Sequence, residues 1–226
     1  MPLVKRLAAE AIGTAFLLAA VIGSGIMGER LAGGNVAIAL LANSIATGCV
    51  LAVLIFVFAP LSGAHFNPLV TLAVAARGGL ARADAVAYIA VQFAAAFTGA
   101  ALAHLMFGEA LFSVSAHARE GPSQWLGEFV ATFGLVLLVR ASAGRSAGSV
   151  GLAVGGYIAA AYWFTSSTSF ANPAVTLARA ASDTFAGIRP QDVPPFVASQ
   201  AVGALVAALC ADWMFGNPDS GTTPRS

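Results

Sequence analysis

The chain has 226 residues, 58% of them hydrophobic and only 9% charged, with a formal net charge of +1. Soluble domains carry about 25% charged residues, so this chain lacks the side chains that solvate a globular surface, and disorder, a coiled coil and nucleic-acid binding are excluded with it. Two distant cysteines supply neither a disulfide framework nor a metal cluster, which leaves an integral membrane protein with no expected cofactor.

A bilayer span takes about 20 mostly apolar residues. Six segments qualify in chain order: 5–27, 36–59, 83–107, 123–143, 147–166 and 195–215. Glu10 interrupts the first, and no cleavage site followed by a polar domain appears, so it reads as a retained span rather than a signal peptide. Two shorter apolar segments, 66–76 and 171–179, carry Asn-Pro near their starts. Each is about half a span and reads as a re-entrant half-helix, with a plain loop or short surface helix as the alternative.

Lysine and arginine counts orient the chain. With the N-terminus inside, the inner side carries Lys5, Arg6, Arg77, Arg82, Arg140, Arg145 and Arg225, and the outer side Arg30, Arg119, Arg179 and Arg189. Both termini are therefore expected in the cytoplasm. The setting is the cell membrane, which is the inner membrane if the source is a Gram-negative bacterium.

The landmarks repeat in one order. Glu10-x-x-x-Thr14 answers Glu128-x-x-x-Thr132, and His65-Phe66-Asn67-Pro68-Leu69-Val70-Thr71 answers Phe170-Ala171-Asn172-Pro173-Ala174-Val175-Thr176. Gln92 precedes Met106-Phe107-Gly108 as Gln200 precedes Met214-Phe215-Gly216, with 14 residues from glutamine to methionine in both halves. Each repeat holds three spans, so the second enters the membrane inverted. The expected units are 1–120, with half-helix 68–76, and 121–226, with half-helix 173–179. Gly13, Gly48, Gly99, Gly155, Gly156 and Gly203 lie inside spans, where small residues let helices approach.

Proline at the first helical position sacrifices no hydrogen bond, and the preceding asparagine is a strong N-cap. Pro68-Leu69 and Pro173-Ala174 therefore start helices, and Asn67 and Asn172 cap them. Two helix N-termini meeting at the midplane repel cations and donate hydrogen bonds to a neutral oxygen. That is the chemistry of a passive pore for small uncharged molecules.

The two boxes, HFNPLVTLA and ANPAVTLA, on a three-plus-three inverted repeat with a glutamate in spans one and four, resemble the aquaporin (major intrinsic protein) family along essentially the whole chain. The resemblance implies an all-α membrane fold of six transmembrane helices and two re-entrant half-helices, one pore per subunit and a homotetramer. It makes Asn67 and Asn172 the pore asparagines, and Glu10 and Glu128 buried acceptors for loop N–H groups. By matching spacings it puts the selectivity filter at Thr47, Ala160, Ser169 and Val175. Leu69 stands where the family has alanine, and Val175 where it has the filter arginine. The filter is thus expected to be wide and comparatively apolar, as in aquaglyceroporin-like bacterial members lacking that arginine. Glycerol-like polyols, arsenous acid and water become the expected solutes, with lipid as the surroundings and no nucleic-acid partner.

Arg179, one turn beyond Val175, either supplies a displaced charge at the outer vestibule or, as the favoured reading, snorkels to water. Glu10 and Glu128 read as structural rather than as a proton relay. His65 reads as lining the inner mouth, with pH gating as the alternative, and His104 and His117 carry no assigned role. Cys49 reads as a buried inert thiol, with a pore-facing thiol as the alternative. Trp125, Trp163 and Trp213 read as interface anchors. A secondary transporter coupled to an ion gradient is the competing class, but no ion-binding cluster lies at midspan; an enzyme lacks any nucleophile–base pair.

Overall fold

The structure is a computed structural model and describes residues 1–216. Arg225 and the tail 217–226 lie outside the described residues. Eight α-helices follow one another: α1 (Leu3–Leu31), α2 (Val36–Ser62), α3 (Pro68–Ala75), α4 (Arg82–Phe107), α5 (Pro122–Ala141), α6 (Ala147–Phe164), α7 (Pro173–Arg179) and α8 (Val193–Phe215), the last entered through a short 3-10 turn at Pro190–Asp192. Among the described residues six helices are long and apolar enough to cross a membrane, and the first is longer at both ends than the apolar run alone suggests. The two short helices begin at Pro68 and Pro173, and both fall at the expected half-span length.

Packing is set by small residues. α1 lies against α4 and α2, α2 against α6, and α5 against α8. At the α2–α6 crossing Gly48 and Gly155 sit back to back: a Cβ on Gly48 would come within 2.6 Å of the Gly155 carbonyl, and one on Gly155 within 2.3 Å of the Gly48 carbonyl. Only hydrogen fits, so the two backbones touch directly. Gly99 on α4 is equally confined, 2.2 Å from the Ala15 carbonyl of α1. Gly156 differs, since a Cβ there would meet open space, so it takes no part in the crossing.

Surface positions complete this picture. Cys49 is exposed on the outside of α2, neither buried nor in the lumen, because it lies one residue past the contact face that Gly48 defines. Trp125, Trp163 and Trp213 are all partly exposed near helix ends, and the Trp163 indole N–H donates to Ser44 Oγ at 2.9 Å. His104 is buried: its ring nitrogens contact the Leu111 carbonyl (2.5 Å) and Ser182 Oγ (2.8 Å), tying α4 to the segment after it and to the one after α7. The sequence assigned it nothing because both partners lie in irregular loops.

Candidate functional site

The two short helices meet through their caps. Asn67 is extended (φ −154°), and its Oδ1 accepts from the Leu69 N–H at 2.9 Å. Asn172 is extended likewise (φ −158°) and accepts from the N–H groups of Ala174 and Val175 at 3.0 and 3.3 Å. Each carboxamide then reaches across: Asn67 Nδ2 donates to the Ala171 carbonyl and Asn172 Nδ2 to the Phe66 carbonyl, both at 2.8 Å. An amide nitrogen has two hydrogens, and the second of each is left for the lumen that both residues line.

The segments before the boxes are held from behind. Ala64, Phe66, Ser169 and Ala171 adopt left-handed backbone, which costs a residue with a Cβ about 1–2 kcal/mol each. Buried carboxylates compensate. Glu10 accepts from Ser62 Oγ, from the N–H groups of His65 and Phe66 and from Gln92 Nε2, at 2.7–2.9 Å. Glu128 accepts from the N–H groups of Phe170 and Ala171 at 2.8 Å and from Gln200 Nε2 at 2.5 Å. Gln92 and Gln200 pass a second hydrogen bond to Thr71 and Thr176, both at 2.9 Å. His65 lines the cavity and its Nδ1 lies 3.1 Å from Thr71 Oγ1.

Leu69 is 8% exposed and packs with Ala73, Val136, Ala204 and Ala207. Its bulk is absorbed on the helix side away from the boxes, and the reciprocal asparagine bonds are undisturbed.

A single cavity of about 710 Å³ runs past both asparagines. At the end near the C-terminus of α3 it is lined by Arg77, Arg140 and Arg145, and Asp212 ties Arg77 (3.1 Å) to Arg140. Its middle is aliphatic, with Leu51 and Ile55 from α2 and Val154 and Ile158 from α6. Among the described residues four arginines line it and no acidic residue does.

The end near the C-terminus of α7 departs from the sequence reading. Thr47, Ser169 and Val175 line the cavity as expected, but Ala160 is exposed on the opposite side of α6. The buried face of that helix runs through Val154, Ile158 and Tyr162, which repeat every four residues and leave position 160 about half a turn away. Tyr162 therefore takes the place assigned to Ala160, and its hydroxyl lies 3.3 Å from Thr47 Oγ1. The regular spacing of Val150, Val154, Ile158 and Tyr162 was the available signal. Arg179 corrects the second reading. It is 2% exposed rather than snorkelling, lines the cavity, donates from Nε to the Ala186 carbonyl and sets its Cζ 3.3 Å from the Phe170 ring centroid. That end of the cavity is therefore neither purely apolar nor without an arginine.

Arg119, from the segment joining α4 to α5, had no signal in the sequence. Its Cζ lies 4.9 Å from the same ring, and its side chain donates to the carbonyls of Gly187, Ser167 and Phe185 and to Thr168 Oγ1. Burial pushes its guanidinium down to about 10. Burial and the charges of Arg119 and Arg179 also hold His117 below the ordinary histidine range.

Residues 1–148 match the family description "Major intrinsic protein". The chain is 52% identical over 212 residues to aquaglyceroporin AqpS of Rhizobium meliloti (strain 1021), covering 94% of this chain and 91% of that protein. It is 30% identical to the probable aquaporin AqpM of Archaeoglobus fulgidus, over 95% and 97% of the two chains. The fold is that of the aquaglyceroporin from Plasmodium falciparum, with a TM-score of 0.72, 19% identity and 95% and 97% coverage. Opposed half-helix caps in a mostly apolar lumen, within six spans, agree with these likenesses: the chain belongs to the major intrinsic protein family, as a multi-pass membrane channel for small uncharged solutes and not an enzyme.

Proposed function

We propose that this channel passes glycerol-like polyols, trivalent metalloid acids such as arsenous acid, and water. The observation that carries the reading is the two-sided wall near α7. Thr47, Tyr162 and Arg179 bring hydroxyls and a guanidinium to the same cavity wall as the alkyl side chains of Val175 and Ile158. A polyol or a hydroxylated acid has the matching surfaces, a row of hydroxyls and an apolar edge. Of the two full-length relatives above, AqpS bears the name aquaglyceroporin, which supports the same choice.

The selectivity filter is Thr47, Tyr162, Ser169, Val175 and Arg179. Asn67 and Asn172 hand the solute from one half-helix to the other. Cations are excluded because Arg179 and the two helix N-termini hold positive potential in a lumen where no acid among the described residues offsets it. Residues 1–120 and 121–226 act as the two inverted halves, the α3 end opens to the cytoplasm together with both termini, and four copies assemble, each with its own pore. Arg77, Arg140 and Arg145 at the α3 end support that orientation through the positive-inside rule.

Light scattering of proteoliposomes under glycerol, urea and arsenous acid gradients tests this. Glycerol and arsenous acid permeability should exceed that of empty liposomes and vanish in Asn67→Leu. Passage of water alone, or saturable uptake driven by a proton or sodium gradient, would overturn it.

A further inference from the structure

Arg179 is the most deeply buried arginine among the described residues, and no carboxylate answers it. Burying a cation without a counterion is costly, so its surroundings should supply one. The neighbouring acids are already engaged. Glu128 accepts from Phe170, Ala171 and Gln200, Asp183 accepts from the Ala116 N–H at 2.9 Å, and Asp192 accepts from the Arg119 N–H and from Arg189. The Phe170 ring and the Ala186 carbonyl stabilise the guanidinium without neutralising it, and Arg119, over the same ring, adds like charge. Among the described residues the two Nη atoms of Arg179 have no acceptor. Arg179 and Ser169 both belong to the cavity wall, and Ser169 Oγ is buried without a partner.

We propose that this end of the lumen is a binding site for a small planar oxyanion of the carboxylate or nitrate type. The two Nη atoms form the outer edge of a planar fork, which matches two coplanar oxygens. A bound anion supplies the missing counterion and occupies the constriction. The wall beyond it is aliphatic until the asparagines, so the anion stays and occludes the pore while neutral solutes pass when the site is empty. The blocking role rests on the filter proposed above; the binding itself does not.

The test uses purified full-length protein titrated with sodium nitrate and sodium formate, against sodium chloride at equal ionic strength, with the thermal midpoint as readout. Nitrate and formate should raise the midpoint saturably and chloride much less. Arg179→Gln should abolish the rise. Arg179→Lys, which keeps the charge but loses the fork, should weaken binding about fivefold or more; it also guards against a Gln variant that does not fold. In liposomes, glycerol flux through the wild type should fall over the same nitrate range. Equal midpoints in nitrate and chloride, or a rise undiminished in whichever Arg179 variants fold, would overturn the site. Arg179-dependent binding without any glycerol flux would leave the site standing and remove the solute reading; glycerol flux without the midpoint rise would do the reverse.

Discussion

The hydroxyl of Tyr162 on α6 lies 3.3 Å from that of Thr47 on α2, a polar bridge between two helices that also meet glycine on glycine. The glycines fix how near the helices come, and the two hydroxyls then fill what remains of the gap at the α7 end of the lumen.

Tyr162 should accordingly limit solute size. Tyr162→Ala removes the ring and should raise permeability to four- and five-carbon polyols relative to glycerol, whereas Tyr162→Phe, keeping the width and losing the donor, should leave that ratio near wild type. Stopped-flow light scattering with a polyol series measures it. An unchanged ratio in Tyr162→Ala would return the size limit to another residue.

The helix crossings predict a contrast between two glycines. Gly99→Val drives a side chain into the Ala15 carbonyl and should cost at least the 1–3 kcal/mol typical of overpacking, roughly, with a matching loss of folded protein. Gly156→Ala meets nothing and should leave the thermal midpoint within about 1 °C of wild type or raise it slightly. Size-exclusion profiles and melting curves in detergent report both.

Glu128 should prove structural. Glu128→Ala strands the buried N–H groups of Phe170 and Ala171 and the Gln200 amide, at about 1–3 kcal/mol for each donor, so folded yield should collapse. Glu128→Gln keeps one acceptor oxygen and should recover part of the yield. Variants that fold normally and lose flux only below neutral pH would instead reveal a proton relay.

His117 offers a pH reading outside the spans. Burial, then the charges of Arg119 and Arg179, disfavour its protonated form, so it is neutral at pH 7. Its folded value lies below its unfolded one. The stability tied to the neutral ring is therefore fully present above the unfolded value and lost as pH falls through the folded value. NMR titration of labelled histidines should give a midpoint below the ordinary one, and Arg119→Gln should raise it. A midpoint at or above the free-histidine value would contradict this.

Much of the pore centre was legible in the sequence because its devices are local. Asn-Pro caps a helix wherever it occurs, and the matched glutamates and glutamines mark acceptors placed symmetrically behind each box. The filter was not. Counting twelve residues back from Asn172 passes through Thr168, Ser169 and Ala171, whose left-handed backbone breaks the helical phase, so the count arrives at Ala160 while the periodicity of α6 leads to Tyr162. The fate of Arg179 depended on Phe185–Gly187 and on Arg119 folding over it, sixty residues away in the chain, and no spacing rule carries that.

The exchange of hydrogen bonds between Asn67 and Ala171, and between Asn172 and Phe66, bears on biogenesis. A nascent chain that has emerged only as far as α4 holds Asn67 Nδ2 and the Phe66 carbonyl without their partners, which are synthesised more than a hundred residues later. The first half can enter the bilayer, but the middle of the conduit comes into being only when the second half arrives to complete it. A ribosome stalled between the two boxes therefore leaves the central exchange of hydrogen bonds unmade.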